Sequence, residues 1–589
     1  MKQIWFLVFI AWTTIALAQI EVKPIAKNSG EQTNHRQRTS AFTTLPFWDD
    51  FSTSTNVPGN QWEFSKSVEV TEGLPLNPPT YKAATLDGVD SLGNFYSETE
   101  TFSGRTDQLI SKAIDLSAMT GDESIYLSFF WEAGGNGELP EQEGDSLRLQ
   151  LLNQDSVWVT AWKKNATEVT DFENFSQEIL KIESSYRHED FRFKFETFGS
   201  QQGKFDTWHI DYVYMNTGRT ATDLTYFDRA FTGQLQSFVH PYREMPAEHF
   251  FNDPSLYLNF QSVTASNLDK DPHPLTLDYE LAIENTGEIF SFQYVSEVFL
   301  SKEIKTLTFT ETPAVPPMAP APDSIVFTNT ISSDFDDDLV PNNNKVNDTL
   351  RATFLFQDYY AYDDGNAEFS AGVRNQGSVA IEFIIGEQDT LSHIDVFFPK
   401  TSNSSADKTL SLKVWKELDG TDPLGFVKYT IKAEDLNQFI RVQFASPIIV
   451  KDTIFIGYKQ DTNDFLPIGL DRSNLDAKEK MYYLQDGIWL PNEGANGIMM
   501  IRPVFRPLGE LVLGNKKVSS LSVYPNPTRG LIQISEEYKE IRVWSVSGQL
   551  LKKEDRLPRH DISRLTPGPY VLQVVKSNGS SETFRLIKE

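Results

Sequence analysis

The 589-residue chain contains no cysteine. Disulfides, thiolate nucleophiles and cysteine-ligated zinc or iron–sulfur sites are therefore excluded. Histidine is also scarce, with 8 residues, and the sequence contains no HExxH, GxSxG or Walker-type motif. These absences remove the enzyme classes that such motifs mark. A glycosidase with paired carboxylates remains an alternative, because the fold rather than the sequence spacing sets the geometry of such a pair. The sequence favours a non-enzymatic protein.

Net positive charge is concentrated in the carboxyl-terminal tail. The formal net charge is −29, yet residues 515–589 carry thirteen Lys/Arg against eight Asp/Glu, a net of +5. The body before this tail is therefore strongly acidic. Repulsion from phosphates argues against nucleic acid as a partner. A solvated surface and calcium affinity are the two interpretations of the acidic body.

Long apolar runs are scarce, with one exception at the amino terminus. Lys2 precedes an apolar stretch over residues 4–17, and Ala16-Leu17-Ala18 forms a small-x-small cleavage site. This pattern predicts a signal peptide over residues 1–18. A membrane anchor is the alternative, but the stretch is shorter than the ~20 residues of a helical span. We expect an exported chain with no transmembrane span after signal cleavage.

The dominant hydrophobic period is two, which is typical of β-strands. "SLRLQLLNQDSVWVTAW" places Leu147, Leu149 and Leu151 on one face, turns near Asn153 and resumes at Val157. This pattern predicts a β-hairpin. Similar alternation recurs along the chain, whereas long amphipathic helical stretches are scarce. The sequence therefore predicts an all-β fold of several β-sandwiches in series.

The carboxyl-terminal segment has turn residues in a distinctive order. They are Tyr524, Pro525, Asn526, Pro527, Gly530, Gly548, Pro567, Gly568 and Tyr570. The prolines fix φ around an asparagine, so the chain enters this segment by a rigid kink. The later Gly and Pro-Gly positions suit tight turns between strands. A small β-sandwich is the expected result.

This order resembles the type A C-terminal sorting domain of the type IX secretion system in Bacteroidetes. The resemblance implies that the signal peptide directs the chain to the periplasm and that the type IX secretion machinery recognises the terminal domain. A sortase-like protease would then remove that domain. The implied location is the outer cell surface or the medium. A purely stabilising terminal module is the alternative.

The body carries weaker resemblances. "FWDDFS", "ATLDG" and "WHIDYVYMN" resemble jelly-roll modules, similar to MAM or concanavalin-like domains, of large Bacteroidetes surface proteins. "YYAYDDGNAE" resembles the start of a further β-sandwich in such proteins. The predicted segments are a signal peptide (1–18), a jelly-roll-like sandwich (42–220), an Ig-like sandwich with a proline-rich loop (221–356), a second jelly-roll-like sandwich (357–509) and the sorting domain (515–589).

Calcium is the cofactor considered for the first sandwich. A jelly roll often brings its first and last strands together, so Asp49, Asp50 and Asp211 are expected to converge, with Asp87 on a neighbouring turn. Two or three carboxylates and backbone carbonyls would supply the about six to eight oxygens that calcium needs. Turn capping by these aspartates is the preferred interpretation, and calcium at Asp50, Asp87 and Asp211 is the alternative.

Two functions from different classes remain. The first is a secreted or surface protein that binds a glycan, a surface or another protein. The second is a glycan-directed hydrolase with an acidic site in the first jelly roll. Tryptophans are candidate sugar platforms, although core positions are preferred for most of them. They are Trp131, Trp158, Trp162, Trp208, Trp415 and Trp489.

Deleting residues 520–589 should leave a folded body trapped in the periplasm. The reason is that the segment linking body and tail turns polar after Gly514, so the cut disturbs neither core. Cell fractionation of the native host measures the location. Fusion of residues 520–589 to a passenger with a signal peptide should carry it to the surface. A truncated protein that still reaches the surface would contradict the sorting assignment.

Overall fold

The computed structural model describes residues 20–25, 42–54, 57–63, 67–90, 94–97, 103–119, 124–333, 346–401, 404–419, 422–505, 523–524, 528, 530–534, 538–545, 550–557, 559–566, 568–576 and 581–588. The predicted signal peptide and the segment joining body and tail lie outside these residues. The chain divides into two compact units: residues 1–28, 41–282 and 289–505 form one, and residues 29–40, 283–288 and 506–589 form the other. The larger unit is called the body here.

The first part of the body contains two larger sheets. Its strands are β1 (Glu21–Pro24), β2 (Phe42–Thr43), β3 (Phe47–Asp49), β4 (Glu69–Thr71), β5 (Ala83–Leu86), β6 (Ser103–Ile110), β7 (Ala113–Ile114), β8 (Ile125–Ala133), β9 (Ser146–Leu152), β10 (Trp158–Asn165), β11 (Ser176–Lys181), β12 (Phe193–Ser200) and β13 (Trp208–Thr217). One sheet has the order β10-β9-β12-β6, and the other has β11-β8-β13-β5-β4 with β3 also on β13. Strands β2 and β7 pair in parallel.

A single core fills the first sandwich. Phe47, Phe129, Leu149, Phe193 and Trp208 belong to one buried hydrophobic cluster drawn from both larger sheets. Aromatic rings meet edge to face within it, as at Phe47 and Phe193, whose centroids are 5.0 Å apart. Alternation in the strands therefore places one face of each sheet on a shared aromatic core.

The predicted hairpin of β9 and β10 is present. Its strands pair antiparallel from Trp158 opposite Leu152 to Asn165 opposite Ser146, with a register shift after Thr160. The inner leucines of β9 are buried, but Val157 is 54% exposed. Val159 of β10 is 36% exposed, whereas Trp162, beyond the register shift, packs against the core of the sandwich.

The middle part of the body also contains two sheets. Its strands are β14 (Arg229–Thr232), β15 (Ser262–Asn267), β16 (His273–Ile283), β17 (Glu288–Phe299), β18 (Ile304–Thr308), β19 (Ile325–Ser332) and β20 (Thr349–Phe356), with one short helix α1 (Ala247–Asn252). The sheet orders are β14-β15-β18 and β17-β16-β19-β20.

The last part of the body is built around two long strands. Its strands are β21 (Phe369–Gly372), β22 (Ser378–Phe398), β23 (Thr409–Trp415), β24 (Gly425–Thr430), β25 (Gln438–Gln460), β26 (Ile468–Asp471), β27 (Met481–Gln485), β28 (Ile488–Pro491), β29 (Ile498–Met499) and β30 (Ile501–Phe505). One sheet has the order β24-β23-β25-β22-β27-β28, with β30 on β22, and the other has β1-β21-β26-β29.

The tail contains two small sheets. Its strands are β31 (Val523–Tyr524), β32 (Leu531–Ile534), β33 (Glu540–Ser545), β34 (Leu550–Asp555), β35 (His560–Asp561), β36 (Gly568–Val575) and β37 (Ser581–Lys588), in the orders β31-β32-β35 and β34-β33-β36-β37. Its core includes Ile541, Val543, Leu572 and Leu586.

Short 3-10 helices link several strands. They cover Ala166–Glu168, Ser184–Tyr186, Pro254–Leu256, Val346–Asp348, Ala433–Asp435 and Leu475–Lys480. The all-β prediction and the serial sandwiches are confirmed. The jelly-roll and Ig-like assignments and the exact domain boundaries stay predictions.

The amino-terminal strand β1 joins a sheet built from residues far along the chain, which the sequence did not predict. It pairs antiparallel with β21, with Glu21 opposite Gly372. Arg374 Nε donates to Glu21 Oε1 at 2.7 Å, and Ile20 and Ile25 are both buried. The first described residues therefore complete a sheet in the last part of the body.

Replacing Ile20 with Ala should destabilise the body by about 2–4 kcal/mol, because the side chain is buried and its loss leaves a cavity. Urea unfolding followed by tryptophan fluorescence measures the change. Ile488→Ala, at a position 63% exposed, should change the free energy of unfolding by less than about 0.5 kcal/mol. Equal effects at the two positions would show that β1 does not stabilise the body.

Candidate functional site

The predicted sorting residues lie partly within the described tail. Tyr524 pairs with Gln533 across β31 and β32. Tyr570 is buried in β36, and its hydroxyl donates to the Thr566 carbonyl at 2.6 Å. Gly530 has φ of +145° and Gly568 has φ of +150°, a backbone conformation that L side chains rarely adopt. The remaining predicted residues lie outside the described residues: Pro525, Asn526, Pro527, Gly548 and Pro567.

Asp50 and Asp211 come together inside the first sandwich, as the sequence predicted. Asp50 follows β3 and Asp211 lies in β13, and these strands pair with Val213 opposite Asp49. Asp50 is 1% exposed and Asp211 is 0% exposed. Burial raises the pKa of Asp50 to about 6, and burial together with the charge of Asp50 raises the pKa of Asp211.

Backbone amides and hydroxyls contact these carboxylates, as the turn-capping interpretation predicts. Ser52 donates to Asp50 from its backbone N–H at 3.1 Å and from Oγ at 2.5 Å. Thr80 donates its backbone N–H to Asp211 Oδ2 at 3.0 Å. The neighbouring Asp49 accepts from Phe51 N–H, and burial raises its pKa to about 7.

Asp87 lies in a different ionic group. Its Oδ2 is 3.4 Å from Lys204 Nζ, and its charge helps to raise the pKa of buried Asp107. Burial lowers the pKa of Lys204, but the charges of Asp87, Glu69 and Glu368 raise it overall. Among the described residues no group of three or more His, Asp or Glu side chains is arranged to hold a metal ion. Calcium at Asp50, Asp87 and Asp211 stays a prediction.

A carboxyl and an imidazole are buried together beneath the glycine loop that follows β8. Glu132 Oε2 accepts from Leu76 N–H at 3.0 Å, and His209 Nδ1 is 2.9 Å from Thr85 Oγ1. Both Oε2 and His209 Nε2 would lie 3.0 Å from a Cβ on Gly135. Burial raises the pKa of Glu132 to about 9 and lowers the pKa of His209 to about 4. At neutral pH both groups are therefore uncharged.

The loop that follows β8 is covered by the last part of the body. Arg472 Nη1 donates to the Gly137 carbonyl at 3.0 Å, and its guanidinium stacks 4.1 Å from the centroid of Phe369. Trp131, in β8 before this loop, is 4% exposed. Trp131, Trp208 and Trp415 are buried, which supports core positions rather than sugar platforms for these three. Trp158, Trp162 and Trp489 are half-buried.

A cleft of about 170 Å³ opens between the first sandwich and the β15–β18 sheet. Phe130, Phe175 and Leu224 are half-buried in its wall, and Tyr226 forms its buried base. Gln177 Nε2 donates to the Tyr226 hydroxyl at 2.8 Å, which also lies 2.7 Å from Ser128 Oγ. The aromatic base of the cleft is thereby fixed by side-chain hydrogen bonds.

Amide side chains add polar positions to this cleft. Asn77, Asn174 and Gln177 line it, and each donates its amide nitrogen to a neighbouring oxygen. Within the described part of the chain, their amide oxygens accept no hydrogen bond. The cleft therefore combines apolar faces with free acceptors. Sequence reasoning missed it because its walls come from separate strands and loops with no shared motif.

Comparison with known proteins identifies the tail. Residues 522–589 match the family of secretion system C-terminal sorting domains. The predicted type IX sorting tail is confirmed, and it directs the protein to the outer cell surface or the medium. No helix among the described residues is long and apolar enough to cross a membrane.

The chain shows weak likenesses to solved structures. Bacteroides uniformis β-glucuronidase is 9% identical, with 47% of this chain and 29% of that chain covered and a TM-score of 0.20. A putative Bacteroides fragilis β-galactosidase is 9% identical, with 52% and 42% covered and a TM-score of 0.18. The cysteine protease and lectin-like domains of Clostridium difficile Cwp84 are 8% identical, with 48% and 59% covered and a TM-score of 0.19.

The chain spans less than two thirds of each of these three proteins. TM-scores of 0.20 and below do not support an inference about activity. No curated protein matches the chain by sequence.

Replacing Glu132 with Gln should remove one group that lowers the free energy of unfolding as the pH rises. The wild-type carboxyl has a folded pKa near 9 against an ordinary value of 4.5, so its stabilising contribution is complete below pH 4.5 and is lost as pH rises towards 9. Relative to the variant, the wild-type free energy of unfolding should fall by on the order of 1 kcal/mol per pH unit in that window.

Urea unfolding at several pH values measures the difference. Gln keeps the acceptor for Leu76 N–H, so the variant retains that hydrogen bond. Glu143→Gln, at an exposed position between β8 and β9, is the matched control and should follow the wild-type curve. Parallel curves for wild type and Glu132→Gln would show that the Glu132 carboxyl has the same pKa in the folded and unfolded states.

Proposed function

We propose that the body is a non-catalytic binding protein that recognises a glycan in the cleft, after the type IX secretion system has delivered it to the cell surface or the medium. The observation that carries this proposal is the combination of half-buried Phe130 and Phe175 with the amide side chains of Asn77, Asn174 and Gln177 in the lining of one cleft. Sugar rings stack their apolar faces on aromatic side chains while their hydroxyls hydrogen-bond with such amides.

The rigidity of the cleft supports binding. Tyr226 packs against Tyr212 at 4.7 Å between ring centroids, and the Tyr212 hydroxyl donates to Asp228 Oδ2 at 2.5 Å. Ser266 Oγ donates to the Pro79 carbonyl, which joins the two walls. A cleft that is already ordered loses little conformational entropy when a ligand binds.

A hydrolase is the second candidate, and the burial of the carboxylates speaks against it. A glycosidase needs two carboxyl groups on either side of the scissile bond, roughly 5 to 10 Å apart, in a site open to substrate. Asp50, Asp211 and Glu132 are each at most 1% exposed. Glu303 is the one carboxylate among the described residues that line the cleft.

Phe175→Ala should weaken glycan binding by the full-length mature protein at least tenfold, about 1.4 kcal/mol, because the stacking face is lost. A glycan array identifies the sugar, and calorimetry then compares the affinities. Phe426→Ala is the matched control, since Phe426 is 58% exposed on β24 outside the cleft.

Two results would contradict the proposal. Equal affinities of wild type and Phe175→Ala for the identified sugar would show that the cleft is not the binding site. Release of reducing sugar from the bound glycan would show that the body is a hydrolase.

A further inference from the structure

We infer that the cleft takes a sugar residue that carries a carboxylate, as a uronic acid does, and that Lys302 is the side chain that selects it over a neutral sugar. This inference rests on the proposed function, because it concerns the ligand of the same cleft. It adds to that function a chemical class of ligand and a residue that determines specificity.

A single basic side chain lines the cleft. Among the described residues of the lining, Lys302 is the only lysine or arginine. It is exposed and lies in the turn between β17 and β18, which Glu303 N–H closes by donating to the Leu300 carbonyl at 3.2 Å. Within the part of the chain that the structure describes, no carboxylate lies within ion-pair distance of Lys302. Its ammonium group is therefore available to an anion that enters the cleft.

The carboxylate of Glu303, next to Lys302 in the lining, is already engaged. Its Oε2 accepts from the Leu300 N–H at 2.7 Å, so this carboxylate stabilises the turn and does not pair with Lys302. The remaining acidic charge of the body acts over longer distances, and salt screens it beyond about 8 Å at physiological ionic strength. Of the two charged side chains in the described lining, Lys302 is therefore the one that lacks a partner.

The backbone of this turn does not explain the lysine. Lys302 has φ of +56°, in the left-handed region that glycine adopts freely and asparagine tolerates. Other L residues adopt this region at a cost in free energy, and residues held in such conformations cluster at binding and catalytic sites. A lysine at this position therefore points to a use for its side chain.

The size of the cleft suits one sugar ring. Its volume is about 170 Å³, and an apolar cavity of about 150 Å³ can hold one benzene ring. Phe130 and Phe175 offer an apolar face to the ring, and amide side chains of the lining offer hydrogen bonds to hydroxyls. A uronic acid combines an apolar ring face, hydroxyls and a carboxylate in a single residue. These features match the aromatic, amide and ammonium groups of the lining.

The carboxylate accounts for the selectivity. A hydrogen bond between an ammonium group and a carboxylate is roughly twice as strong as one between uncharged groups. The hydroxymethyl group of a neutral sugar occupies the same place on the ring as the carboxylate of a uronic acid, but it offers Lys302 no charge. Because exposed ion pairs are weak, we expect a preference of about three- to tenfold for the acidic sugar.

The first test uses the full-length mature protein on an array of matched glycans. Each pair ends in the neutral or the acidic form of one sugar, namely glucose or glucuronic acid, and galactose or galacturonic acid. Calorimetry then compares the two members of each pair that binds. The acidic member of at least one pair should bind about three- to tenfold more tightly than its neutral partner.

The second test changes Lys302. Lys302→Asn removes the charge and keeps a residue that tolerates the turn, so the melting temperature of the body should not fall. It should weaken binding of the acidic sugar about three- to tenfold and leave the affinity for the neutral partner within about twofold of wild type. Lys302→Arg keeps the charge and should retain the preference for the acidic sugar. Lys163→Gln is the matched control, since it removes an exposed lysine of β10 outside the cleft, and it should bind as wild type does.

Three outcomes would overturn this inference. They are equal affinities for the acidic and neutral members of every pair, wild-type affinity for the acidic sugar in Lys302→Asn, and an equal loss of affinity in Lys163→Gln. Weakened binding in Phe175→Ala with wild-type binding in Lys302→Asn would reject the acidic ligand and leave the proposed glycan function in place. Wild-type binding in both variants would reject the proposed function as well.

Discussion

Asp50 and Asp211 bring two carboxylates into the interior where β3 meets β13, and three separate segments of the body supply hydrogen-bond donors to them. Thr80, Ser52 and Asn347 all direct polar groups at this pair. A chain with net charge −29 places acidic groups inside as well as on its surface. Each buried carboxylate then needs donors, protons or a cation, and these needs determine which loops approach one another.

Strand β13 links the buried carboxylates to the other strands of its sheet in the first sandwich. It pairs with β3, β5 and β8, so residues at both ends of the module meet along one strand. His209, Asp211 and Tyr212 lie in succession on it and are all buried. One strand thereby positions the uncharged Glu132 and His209 pair, the Asp50 and Asp211 pair, and the aromatic base of the cleft.

The cysteine-free body is also held together by contacts between distant segments. Strand β1 completes a sheet with β21, and Arg472 binds carbonyls of the loop after β8. Such contacts close long loops of chain, as disulfides would in another secreted protein. The tail is a separate compact unit with its own core and the opposite charge, which suits a segment that serves transport.

The sequence determined the all-β class, the β9–β10 hairpin and the sorting tail, because alternation and turn residues are local signals that one strand or turn carries by itself. It also placed Asp50 near Asp211 through the expected pairing of first and last strands. Only the tertiary structure decided that Asn347 joins them, that Asp87 pairs with Lys204, that β1 crosses to β21 and that Phe130 and Phe175 share a cleft. These contacts join residues far apart in the chain, and their energies come from burial and desolvation, which depend on the folded surroundings rather than on local sequence.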